Sequence, residues 1–124
     1  MEFISKDNIT ELSNPGVVSK QLLNPNNSKS RNITITEVHL DAGAVQPRHT
    51  HDFSEQVWYA IKGVGKLLLA DGKEKDFQVG DVVRFAEQEI HGLQNNGSDE
   101  FVYISVTSPP INFEYAYKDK KQEK

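Results

Sequence analysis

From Ile33 to Leu40 the chain reads Ile-Thr-Ile-Thr-Glu-Val-His-Leu, a two-residue alternation rich in β-branched side chains that predicts a strand. Similar stretches recur at 56–62 (Gln-Val-Trp-Tyr-Ala-Ile-Lys), 65–70, 74–79, 82–85, 101–107 and 111–117. Asp71-Gly72, Gly80-Asp81 and Asn96-Gly97 separate them as turns, and Ser108-Pro109-Pro110 stops the strand before it. Residues 41–47 (Asp-Ala-Gly-Ala-Val-Gln-Pro) predict a turn, because Gly43 and Pro47 offer no ladder-friendly pattern. Residues 1–31 hold two turn-rich segments around Asn14-Pro15-Gly16 and Asn24-Pro25 and read as an arm of short strands and turns. Residues 118–124 read as a frayed, charged tail. No stretch carries a helical period. About eight to ten short strands at this spacing predict an all-β sandwich or barrel, whose closure would remove exposed edges.

Composition narrows the function. A chain of 124 residues holds one domain. Its formal net charge of −4 argues against nucleic-acid binding, which needs a basic face. With no cysteine, thiolate metal sites, disulfides and cysteine nucleophiles are excluded. No apolar run resembles a signal peptide or a membrane span, so a cytoplasmic protein without membrane partners is expected.

The four histidines are His39, His49, His51 and His91. His49 and His51 are two apart, so on a strand they share a face. A break at 52–54 lets the next strand bring Gln56 beside them, and His91 follows a further turn about forty residues on. Three imidazoles and one side-chain oxygen on a sheet suit a borderline divalent transition metal, with coordination positions left open for water or substrate.

These segments resemble the two motifs of the cupin superfamily. The first motif is matched by Gly43, His49, His51, Gln56 and Gly63, and the second by Gly80, His91 and Asn95. Ala86 and Gln88 stand where the second motif has proline and glycine. The resemblance covers residues 33–108 and implies a double-stranded β-helix, a jelly-roll barrel. It implies one divalent metal per chain (Mn, Fe, Ni, Zn or Co) held by His49, His51, Gln56 and His91. It also implies a homodimer, which the apolar and aromatic residues of 101–106 and 111–117 support. Many members have Glu where Gln56 stands. Glu55 is adjacent, but a one-residue slip would turn it to the opposite face, so Gln56 is the expected ligand and Glu55 is expected to face out.

An amide oxygen cancels none of the metal's charge and provides no carboxylate base. It therefore favours Lewis-acid chemistry over oxygen activation and leaves a bound hydroxide or a nearby group such as Tyr103 to act as base. By parity Trp58 faces inward, either as core or as an aromatic wall for substrate. Tyr103 and Ser105 are assigned to the pocket, Arg84 to the surface, and His39 receives no role. The expected function is a metal-dependent isomerase, cyclase or lyase acting on a small sugar-derived, keto-acid or phenolic molecule. The alternatives are a metal-dependent dioxygenase and a non-catalytic binding module.

Overall fold

The computed structural model describes residues 1–122. Among these residues, eleven strands form two antiparallel sheets facing each other. β1 (Thr10–Asn14), β2 (Val17–Leu23), β3 (Thr34–Leu40), β5 (Glu55–Lys62), β8 (Val82–Phe85), β10 (Phe101–Ser108) and β11 (Asp119–Gln122) form a seven-stranded sheet in the order β11-β1-β2-β3-β10-β5-β8. β4 (Val45–His49), β6 (Val64–Leu69), β7 (Glu74–Gln78) and β9 (His91–Gln94) form the other, in the order β4-β9-β6-β7. This is the jelly roll expected from the alternation.

Parity holds along each strand of the large sheet. On β3, Thr34, Thr36, Val38 and Leu40 are buried and the residues between them are half-buried. On β10, Phe101, Tyr103, Ser105 and Thr107 face inward, paired across the ladder with Leu40, Val38, Thr36 and Thr34. Leu67 and Leu93 meet them from the small sheet, and Phe77 packs near Phe101 with ring centroids 5.8 Å apart.

Several expectations are corrected. The sheets do not close, so β11, β8, β4 and β7 remain edges among the described residues. These edges are blunted instead by charge, as in Glu74, Lys75 and Asp76 of β7, and by Pro47 on β4. The stretch 41–47 is not all turn: β4 begins at Val45 and carries Pro47 at a register shift, where a missing ladder donor is tolerated. β9 is a strand that the sequence pattern did not reveal. The alternating stretch 111–117 is no strand but holds a 3-10 helix over Phe113–Ala116, capped by the Asn112 side chain. Within residues 1–31 lie β1 and β2, and β2 pairs with β3 in the large sheet. Asp119–Gln122 pairs with β1 rather than fraying, and residues 123–124 of the expected tail lie outside the described residues.

Candidate metal centre and its cavity

His49 ends β4 and His91 begins β9, and the two are paired across that ladder. Their ring centroids lie 4.3 Å apart. His51 lies past the strand end, not within it as its spacing from His49 predicts. It nevertheless reaches the same place, 5.0 Å from His49 and 5.2 Å from His91 by ring centroid. The turn before His91 holds it there, because the Gln88 backbone N–H donates to the His51 carbonyl at 2.8 Å. Ligating atoms of the three histidines lie within 4.8 Å of one another.

Two glycine-type positions make this geometry possible. A Cβ at Gly92 would lie 2.6 Å from the Gln46 carbonyl oxygen and 2.9 Å from the Arg48 nitrogen. The bare backbone at 92 therefore lets β4 approach β9 where the register shifts. Gln88, at the motif's glycine position, takes φ = 66°. The departure from the motif thus keeps the left-handed turn and stores some strain there. Asn95, the other motif residue, is fully buried but sits away from the histidines. Its amide donates to the Leu40 and Asp99 carbonyls and its oxygen accepts from Gly97 N–H, which closes the β9–β10 turn.

The donor set passes a chemical test for a cation. His49 Nδ1 lies 2.7 Å from the Pro47 carbonyl and His91 Nδ1 lies 2.8 Å from the Glu89 carbonyl. A carbonyl only accepts, so both Nδ1 atoms carry the proton and both Nε2 atoms present lone pairs. Gln56 is buried, and its amide orientation is fixed from both ends. Trp58 Nε1–H donates to its oxygen at 3.1 Å, and its own N–H donates to Thr107 Oγ1 at 2.9 Å. Gln56 Oε1 then lies 3.1 Å from His91 Nε2, acceptor against acceptor. His51 Nε2 is buried with no partner among the described residues. Burial pushes the pKa of His51 and of His91 down to about 4, and lowers that of His49, so these rings are neutral at pH 7. The Nε2 lone pairs of His49 and His91 and the unpartnered His51 Nε2 meet beside the Gln56 oxygen, and a divalent transition ion fits that arrangement.

Glu55 points the other way. Its carboxylate pairs with Arg84 at 2.7 Å on the outer face, where both side chains are substantially exposed, as the register argument and the surface reading of Arg84 expect. His39 lies outside the site, paired with Glu37 and Glu100.

The centre faces a cavity of about 710 Å³ between the sheets. Trp58, Tyr103 and Ser105 all line it. Trp58 is also core, edge-on to Phe85 and 4.3 Å from the Tyr103 ring. The Tyr103 hydroxyl donates to Gln46 Oε1 at 2.6 Å. Burial raises its pKa well above the ordinary phenol value. It is therefore held protonated at neutral pH. Sequence reasoning missed Gln46, Thr107, Phe113 and Tyr117. Phe113 sits edge-on to His51 at 5.9 Å, and Tyr117 hydrogen-bonds with Ser19. Gln46 lies on β4, which shows no readable alternation, and Phe113 and Tyr117 lie on a 3-10 helix and its exit although their stretch alternates like a strand.

Two facing antiparallel sheets with a histidine cluster at the space between them define a small jelly roll with a group of side chains that could hold a metal ion. Residues 36–107 match the model of the cupin domain family, and the chain belongs to that family. An uncharacterised protein of Methanocaldococcus jannaschii is 24% identical over 103 residues, covering 83% of this chain and 82% of that one. KdgF from Halomonas sp. is similar in structure with a TM-score of 0.74 and 22% identity, over 90% of this chain and 96% of that chain. The polyketide cyclase RemF from Streptomyces resistomycificus has a TM-score of 0.76 and 15% identity, over 98% of this chain and 84% of that chain. At these identities the structural likeness concerns the fold.

Proposed function

We propose that this protein is a metal-dependent enzyme that isomerises, cyclises or eliminates from a small polar molecule by non-redox Lewis-acid chemistry. The observation that carries this reading is the clustering of three neutral imidazoles, with the Gln56 amide oxygen 3.1 Å from His91 Nε2, beside a cavity of about 710 Å³ that His49, His51 and Gln56 line. A divalent ion held there would polarise a carbonyl or enolate oxygen. The chain's own groups bind and orient. Trp58 and Thr107 hold the Gln56 oxygen toward the centre, and the Pro47 and Glu89 carbonyls hold two imidazoles in the ligating tautomer. Tyr103 stays protonated and fixes Gln46 on the facing strand. The polyketide cyclase of similar fold is consistent with this chemistry.

We also propose a homodimer through the outer face of the large sheet, where Tyr59 and Val82 are exposed beside half-buried Val57 and Ile104. Phe101 and Tyr103 do not contribute to that face, since both are buried within their own subunit.

Metal analysis of the isolated protein, followed by a substrate screen and oxygen-uptake measurement with the metal found, tests the reading. One divalent transition ion per chain with turnover and no oxygen uptake is the expected result. Oxygen consumption coupled to turnover would replace the proposal with a dioxygenase, and full stability with no metal affinity would replace it with a binding module.

A further inference from the structure

We propose that the cavity is built for a small oxygen-rich organic acid, a keto- or hydroxy-carboxylate, whose oxygens face Ser105, Thr36 and the Gln46 amide. The location of the chemistry rests on the functional reading above, and the ligand class rests on the cavity wall. The chain has 18 Asp and Glu against 14 Lys and Arg. Yet no carboxylate among the described residues lines this cavity, and its charged lining residues are Arg48 and Lys118. Arg48 is exposed, and its guanidinium is held by the Leu69 carbonyl at 2.8 Å and the Lys73 carbonyl at 3.3 Å. Glu114, on the nearby 3-10 helix, is drawn to Lys120 and Asn26. The wall therefore carries no negative side chain among the described residues, and nothing in it repels an anion.

The neutral groups agree. Ser105 is only 3% exposed, and its hydroxyl has no partner among the described residues. A buried hydroxyl without a partner is costly unless a ligand satisfies it. Across the ladder from Ser105 stands Thr36, also lining the cavity. The Gln46 oxygen is occupied by Tyr103, which leaves its amide N–H groups to donate. Away from the histidines and Gln56, the Ser105 hydroxyl and the Gln46 N–H groups are thus open to a ligand, and acceptor oxygens complement them. The aromatic rings of Trp58, Phe113 and Tyr117 shape the remaining wall for a compact carbon skeleton.

Trp58 is the only tryptophan and lies in this wall, so its fluorescence reports binding directly. The full chain is titrated with Zn²⁺, and then both metal-free and Zn²⁺-loaded protein are titrated with 2-oxobutanoate, 2,3-butanediol and ethanolamine. The acid is expected to bind at least about tenfold tighter than the other two in the loaded protein, and to keep first rank in the metal-free chain. Gln46→Glu preserves an acceptor for Tyr103 but places a negative charge in the wall, and should weaken the acid by about tenfold. Ser105→Ala should weaken it severalfold, with Zn²⁺ affinity and melting temperature little changed in both variants. Equal binding of the three probes, preference for the diol or the amine, no binding of the acid, or undiminished acid affinity in both variants would overturn the proposal. Failure of Zn²⁺ to bind, with acid preference intact in the metal-free chain, would sink the metalloenzyme reading and support this one.

Discussion

The inner wall of the large sheet changes character from one end of its strands to the other. At one end Phe101, Leu40, Ala60 and Val17 pack against Leu93, Leu67 and Phe77. At the other, the same strands present Thr107, Thr34, Gln56 and Gln21, all buried, beside His51 and His91. Burial is similar at both ends, but its energetics differ. The apolar end gains from every area removed from water. The polar end is neutral or costly in the chain alone, because His51 Nε2 and Ser105 Oγ are buried without partners and His91 Nε2 faces the Gln56 oxygen, acceptor against acceptor. One end holds the sheets together, and the other is held in place by it.

Variants can separate the two ends. The largest effect on stability is expected for Phe77→Ala, which empties a fully buried aromatic position and should cost about 3–5 kcal/mol in chemical denaturation. Metal affinity of the folded fraction should stay within about twofold, since the ligands sit at the far end. A parallel loss of metal affinity would show that the ends are coupled.

His49→Ala reverses the pattern. The side chain is only half-buried, so metal-free stability should change by less than about 1 kcal/mol, while metal affinity by titration calorimetry should fall at least about 100-fold. Gln56→Ala should weaken metal binding by about tenfold, whereas Glu55→Ala should leave it unchanged and cost at most about 1 kcal/mol for a surface ion pair. Gln56→Glu should bind metal at least as tightly, because it adds a charge, while turnover falls as the ion becomes a weaker Lewis acid.

Acid should strike the polar end first. His51 and His91 titrate at about 4 in the folded chain against 6.5 ordinarily, so between these values the unfolded chain binds more protons than the folded one. Stability of the metal-free protein therefore rises with pH through that window and is lost as pH falls from about 6.5 towards 4. Melting temperatures measured across the window should fall with acid, and His51→Phe should flatten the slope. An unchanged slope in that variant would place the acid sensitivity elsewhere.

The smallest effect is expected at the turn before His91. Gln88→Gly relieves a left-handed residue and should change stability by no more than about 1 kcal/mol, towards greater stability, with metal affinity retained.

Alternation along single strands is a local property, and it was legible in the sequence. It placed β3, β5, β8 and β10 and the inward parity of Gln56, Trp58, Tyr103 and Ser105. The spacing of His49, His51 and His91 pointed to one cluster. Tertiary structure decided the features that arise from contacts between distant segments. β4 and β9 exist because Gly92 lets two backbones approach closely, which no run of apolar residues announces. Phe113 and Tyr117 lie on a 3-10 helix and its exit rather than on a strand, although their stretch alternates. Asp119–Gln122 found an edge on β1 that a charged tail gave no reason to expect. The acceptor character of the centre was decided last of all. It depends on the Pro47 and Glu89 carbonyls and the Trp58 N–H, which fix proton positions only once the chain has folded around them.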